Sequence, residues 1–161
     1  MKKNSPQDKR FPVVSSVRLA RRAWKEMGAL LKEDEIQQMA DVDAVDHAIQ
    51  VFNLGVQAMF PEGSAEGMSR YCTAAWQTQM ASKYSQWRSQ GVGALELAEC
   101  RFLAADLLES DAALAFTYEH WNFCYEDGTI RRTSGAVDGY RLLKRDGLWL
   151  VDEVVFYHKD D

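Results

Sequence analysis

Between Val45 and Met59 the apolar positions recur every three or four residues: Val45, Ala48, Ile49, Phe52, Val56 and Met59. That spacing makes one broad face of an α-helix. Asp43 is placed to cap it, and Asp46 sits in its first turn, where a negative charge meets the positive helix end. The run FPEGS at 60–64 stops it. Upstream, Val17, Ala20, Trp24, Met27 and Leu31 keep the same period and predict a helix over 17–31, capped by Ser15 or Ser16. Its other side carries Arg18, Arg21, Arg22 and Lys25. Residues 32–43 reverse the charge and predict a break. Downstream, residues 65–89 predict a third helical segment, either one helix or two shorter ones, closed by GVG at 91–93.

From Ala94 the period falls from helical spacing toward two. About four long strands follow, joined by tight turns at EDG (126–128) and RDG (145–147), where glycine tolerates positive φ. Helices first and hairpin-linked strands afterwards argue for an α+β domain with an antiparallel sheet. The strand faces are unusual. Ala113, Ala115, Trp121, Phe123 and Tyr125 oppose Leu114, Phe116, Tyr118 and Cys124. In the last strand, Trp149, Val151, Val155 and Tyr157 oppose Leu148, Leu150, Val154 and Phe156. A helix-covered antiparallel sheet ordinarily shows water a polar face; here neither face is polar. The second face therefore needs a cover: the helix 17–31, a second subunit, or a different protein.

Composition adds compartment and charge. A chain of 161 residues fits one domain. Cys72, Cys100 and Cys124 are dispersed, odd in number and without a CxxC, which predicts reduced thiols and a cytosolic protein. No signal peptide, membrane-spanning run or metal-ligand spacing is visible. The net charge is -5, yet residues 1–25 hold eight basic residues and one acid. That asymmetry predicts a basic interaction arm at 1–15, an amphipathic basic helix and connector at 16–42, a folded domain at 43–157 and a short tail at 158–161.

Three stretches carry a family resemblance: AVDHAIQVFNLGVQAMF, AALAFTYEHWNF and RLLKRDGLWLVDEVVFY. Together they resemble the nuclear transport factor 2-like, or cystatin-like, superfamily over residues 43–157. The stretch AAWQTQMASKYSQW resembles more distantly the partner-binding C-terminal domain of cyanobacterial and chloroplast division-site proteins. The resemblance implies N-terminal helices packed in a strongly curved antiparallel sheet of about four strands, a cone-like roll that often dimerises through its outer sheet face. It also implies that an enzyme of this fold would keep its acid–base groups inside the cone.

The candidate groups for such chemistry are His47, Tyr118, His120, Asp138, Tyr140 and Asp152. The alternation of Tyr118, His120 and Asn122 on one strand face nominates that trio for a pocket. Glu119, Arg141 and Glu153 are expected to form cross-strand charge pairs. Trp121, Phe123, Trp149 and Tyr157 are then the interface aromatics, and Arg18, Arg21, Arg22 and Lys25 a surface for anions. No nucleophile motif, dinucleotide fingerprint or phosphate loop occurs, so no cofactor is expected. The absence of a matched catalytic set favours a non-catalytic protein-binding or scaffold module that forms a homodimer. The alternatives are a small-molecule binder or cofactor-free enzyme of dehydratase, isomerase or cyclase type, and an adaptor to nucleic acid or a membrane surface through residues 1–25.

Overall fold

The structure, a computed structural model, describes residues 33–133 and 135–157. The basic arm 1–15, the helix expected over 17–31 with Arg18, Arg21, Arg22 and Lys25, and the tail 158–161 lie outside the described residues. No described helix is long and apolar enough to cross a membrane.

Helix α1 spans Glu33–Met59 and helix α2 spans Ala74–Ser89, with a 3-10 turn at Glu66–Arg70 between them. The break expected within 32–43 does not occur in the described part, and Asp43 lies inside α1 instead of capping it. The segment 33–43 has neither Pro nor Gly to interrupt it. The 65–89 segment is divided, as the second of its two expected forms. Thr73 caps α2 by accepting a hydrogen bond from the Trp76 backbone N–H at 3.3 Å.

Five strands follow: β1 (Val92–Glu109), β2 (Ala112–Tyr125), β3 (Ile130–Arg132), β4 (Ala136–Arg145) and β5 (Leu148–Tyr157). They pair antiparallel in the order β1-β2-β4-β5, with the short β3 folded back on the end of β2. The β4–β5 turn has Asp146 at φ 52° and Gly147 at φ 77°, the left-handed pair that a two-residue hairpin loop needs. The β1–β2 ladder shifts register at four places, between Val92 and Ala94, Leu97 and Glu99, Phe102 and Ala104, and Leu107 and Glu109. Each extra residue adds local bend and twist. The result is a curved sheet wrapped around α1.

The core is built between that sheet and the helices. Val45, Ile49, Phe52 and Val56 of α1 meet Ala113 and Ala115 of β2, Leu142 of β4 and Val151 of β5. The two alanines leave room for the helix to approach the strands. Met80 and Tyr84 of α2 close the side, and the Tyr84 hydroxyl donates to the Val56 carbonyl at 2.9 Å. Backbone bonds from Thr73 N–H to the Val151 carbonyl (2.9 Å) and from Val151 N–H to the Tyr71 carbonyl (3.0 Å) pin the start of α2 to β5.

The face assignment of β5 requires correction. Trp149 and Val151 point inward as a pair, but Val154, 8% exposed, joins them, while Val155, 42% exposed, points out. Arg141 pairs with Glu153 and Leu142 with Val151, so Asp152 is an extra residue in β5. A one-residue bulge reverses the alternation beyond it. Strict period-two counting places Val154 and Val155 on the wrong sides for that reason.

Candidate functional site

The inner face of β2 changes character along its length. Ala113 and Ala115 pack under α1, Thr117 and Glu119 follow, and Trp121 and Phe123 end the row. On β4, Asp138 lies opposite Thr117 and Tyr140 opposite Ala115, so both share this face. Asn53 is the polar member of the α1 face that packs here. Of these, Asn53, Glu119, Asp138 and Tyr140 form the floor of a cavity of about 420 Å³ between α1, α2 and the sheet. Its walls include Phe52, Trp76, Met80, Trp87, Trp121 and Phe123, and its rim carries Lys83, Arg131, Arg132 and Thr133.

Glu119 is the hub of the floor and only 2% exposed. Its Oε1 accepts from the Asn53 amide at 2.8 Å, the Thr117 hydroxyl at 2.9 Å and the Tyr140 hydroxyl at 2.5 Å. Its Oε2 accepts from the Trp121 indole N–H at 2.9 Å. The Cys100 thiol, its register partner on β1, lies 3.7 Å from Oε1. A carboxylate buried with this many donors is a compensated charge rather than a stranded one.

Asp138, also 2% exposed, completes the floor by hydrogen bonding to Glu119. The two carboxyl groups titrate as a pair. Burial pushes Asp138 up to about 9, with the hydrogen bond to Glu119 and the Glu119 charge adding to it. Burial by itself would raise Glu119 too. The hydrogen bonds it accepts from Asp138, Tyr140, Trp121 and Thr117 outweigh that and hold it below the ordinary 4.5. At neutral pH the pair therefore holds one proton, on Asp138, which donates it to Glu119. Burial and the same carboxylate push the Cys100 thiol up to about 12, so it stays a neutral thiol. Among the lining residues, the indole N–H of Trp76 is buried with no protein acceptor, and Asp138 Oδ1 is buried with no N–H or hydroxyl donor directed at it.

The site residues expected on β2 occupy faces opposite to those assigned to them. Trp121 and Phe123, nominated for an interface, line the cavity, and Trp149 is buried in the core. Tyr157 ends β5 opposite Val137. Tyr118, His120 and Asn122, nominated for a pocket, alternate to the outer face of β2. The parity of β2 was read correctly, but which of its faces is concave depends on where the helices pack. On the outer face, Tyr118 and His120 serve the rim indirectly. The Tyr118 hydroxyl bonds His120 Nε2 at 2.9 Å, and His120 Nδ1 bonds the Thr133 carbonyl at 2.9 Å. A Cβ on Gly135 would collide with both rings, so the chain after β3 is laid directly on them. Thr133 is further tied to β2, its N–H donating to the Trp121 carbonyl and its hydroxyl accepting from the Trp121 N–H.

The expected cross-strand charge pairs also divide. Arg141 and Glu153 are register partners on the outer face, and Arg141 Nε lies 3.6 Å from Asp152. Glu119 is on the inner face and takes no part. Asp152 instead accepts from the Thr73 hydroxyl at 2.9 Å, and His47 is solvent-exposed on α1. Asp138 and Tyr140, from the wider set of acid–base candidates, are the two that reach the cavity.

No family model matches the sequence, and no curated protein does. Solved structures do match. The intermembrane-space region of the chloroplast protein ARC6 superposes with a TM-score of 0.56 at 9% identity, covering 70% of this chain and 96% of that one. An NTF2-like protein with a cystatin-like fold from Novosphingobium aromaticivorans gives 0.54 at 12% identity, covering 81% and 92%. A cystatin-like domain of unknown function from Nostoc punctiforme gives 0.51 at 18% identity, covering 72% and 78%. The fold is thus the cystatin-like roll of nuclear transport factor 2-like proteins, as the resemblance implied. Likeness at this level of identity defines the architecture, and unrelated functions share it.

Proposed function

We propose that this chain binds a small molecule in the interior of its cone. The observation that carries the reading is the Glu119–Asp138 carboxyl pair, buried in the lining of an open, largely apolar cavity. A cavity of this size, mainly apolar with a few convergent polar groups, has the makeup of ligand sites in general. The protonation state favours recognition over base catalysis. A general base works best with a pKa near the working pH. Glu119 is held too low, and Asp138 keeps its proton to about 9. The pair then acts as a fixed polar anchor in the cavity lining.

The test is a screen of small aromatic fragments on the full chain by protein-detected NMR. Binders are expected to move the indole N–H signals of Trp76 and Trp121 while leaving Tyr118 and Asn122 in place. Shifts confined to the outer face, or no binder at all, would reject the reading.

A second reading, self-association through the outer sheet, is favoured by one observation. Val137, Leu148 and Val155 are 37%, 65% and 42% exposed on β4 and β5, with Gly139 adding no side chain between Val155 and β2. Apolar exposure of this kind on a sheet face fits an isologous contact. Val155→Lys is expected to raise the dimer dissociation constant at least about tenfold, read by sedimentation, since it buries an unpaired charge at the contact. A wild-type monomer at every concentration would sink this reading and leave the first untouched.

A further inference from the structure

We propose that β3 is a movable side wall of the cavity and that His120, standing on the opposite face of the sheet, is the residue that latches it. The latch stands on contacts of the sheet alone. Its bearing on ligands rests on the reading of the cavity as a binding site.

β3 is the shortest strand of the sheet. It has three residues, all exposed, and among the described residues it pairs with β2 alone. Yet Arg131 and Arg132 line the cavity, and so does Thr133, which follows them. At its start the strand is held by the tight turn. There the Gly128 N–H donates to the Tyr125 carbonyl at 3.0 Å, and the Tyr125 N–H donates to the Thr129 carbonyl at 2.8 Å. A short arm with few buried contacts opens more readily than the core of its sheet. Its far end therefore decides whether it stays shut.

That end is tied at Thr133. Its N–H donates to the Trp121 carbonyl at 2.8 Å, and its hydroxyl accepts from the Trp121 N–H at 2.9 Å. The third tie comes from the outer face, where His120 Nδ1 lies 2.9 Å from the Thr133 carbonyl. A carbonyl only accepts, so Nδ1 carries the proton of the neutral ring. Nε2 is then the acceptor, and the Tyr118 hydroxyl, 2.9 Å away, donates to it. Tyr118 thus fixes the tautomer that the latch needs. The two rings stand edge to face with centroids 5.1 Å apart. From β1 they are braced by the Arg101 guanidinium, 4.6 Å from the Tyr118 ring centre, and by the Glu99 carboxylate, 3.9 Å from His120 Nε2. From the other side the backbone at Gly135 lies so close that a Cβ there would overlap both rings. His120 does not line the cavity and acts only through Thr133.

The experiment follows the Thr133 amide by hydrogen exchange on the full chain, read by NMR. His120→Ala is expected to speed its exchange about tenfold, the size of one lost hydrogen bond. The rate should be insensitive to low urea, the mark of a local opening. Gly135→Ala, which removes no bonding group, should give the same increase by driving the rings off Thr133. His120→Asn should return the rate to within about threefold of wild type, because its amide nitrogen stands near the place of Nδ1 and donates to the same carbonyl. The second arm uses 1-anilinonaphthalene-8-sulfonate, whose seat in the cavity is read from the Trp76 and Trp121 indole signals. At about ten times its dissociation constant the dye should slow the wild-type Thr133 amide about tenfold, since a ligand held by the closed wall must leave before the wall opens. An unchanged rate in His120→Ala, or an increase that asparagine does not reverse, overturns the latch and leaves the cavity a binding site. If the substitutions act as expected but the bound dye leaves the exchange unchanged, the wall is no part of the binding site and the inference fails. If the dye never reaches the two indoles, the wall's role in binding is overturned, and the fragment screen decides the cavity reading on its own.

Discussion

Glu119→Ala is expected to lower the free energy of unfolding by about 3–5 kcal/mol, the range for removing one member of a buried, hydrogen-bonded charged set. The size follows from what the substitution strands. The Asn53 amide, the Thr117 and Tyr140 hydroxyls and the Trp121 indole all donate to this one carboxylate. Each buried donor left unpaired costs about 1–3 kcal/mol, reduced where water enters the new space. The costs do not simply add, because the groups share one acceptor. Glu119→Gln is no remedy: it keeps the shape but turns an NH2 group toward donors on one side of the hub. Urea denaturation of the two variants against the wild type measures the effect. A loss below about 1 kcal/mol for the alanine variant, within the range of ordinary surface substitutions, would mean that Glu119 is not the hub described.

The second large effect is a dependence on pH that a single substitution removes. Asp138 is raised from 3.8 to about 9 in the folded chain. Between those values the native state holds a proton that the unfolded state has lost. Stability contributed by such a group is fully present below the unfolded value and declines as pH rises toward the folded one. The slope is at most about 1.4 kcal/mol per pH unit for one proton. Glu119 has the opposite sign. Its pKa is lowered, so its contribution is present above 4.5 and is lost as pH falls through its folded value. The window from about pH 5 to 9 therefore belongs to Asp138. Asp138→Asn copies the protonated acid, with an N–H for Glu119 and an oxygen in place of Oδ1, and has no proton to lose. It is expected to be more stable than the wild type at pH 8, with the advantage shrinking toward pH 5. Parallel denaturation curves for the two proteins at every pH in that window would exclude a proton held on Asp138.

These two results probe a network whose members were unequally visible in the sequence. Thr117 and Glu119 alternate with Ala113, Ala115, Trp121 and Phe123, and Asp138 alternates with Tyr140, so membership of a common strand face was open to counting. Asn53 interrupts an apolar helical face between Phe52 and Val56, which is also a local signal. What counting could not supply was the side of the sheet on which the helices lie. Without it, the aromatic row of β2 was read as an outer interface and the Tyr118–His120–Asn122 row as a pocket, each on the face that belongs to the other. The β5 alternation failed for a separate reason. The extra residue at Asp152 leaves no mark in composition, since the bulge exists only in the pairing with β4.

By itself, the amino-acid sequence determined the class of the domain, its order of helices and strands, its hairpin turns and the cystatin-like resemblance. Those depend on neighbours a few residues apart, through side-chain periodicity and the φ preferences of glycine and aspartate. Only the tertiary structure decided which sheet face is concave, that Glu119 and Asp138 share a proton there, and that aromatic walls rise from that floor to a basic rim. Those properties belong to contacts between residues as distant as Asn53 and Tyr140. Their free energies arise from burial and shared hydrogen bonds, which exist only once the sheet has closed around the helix.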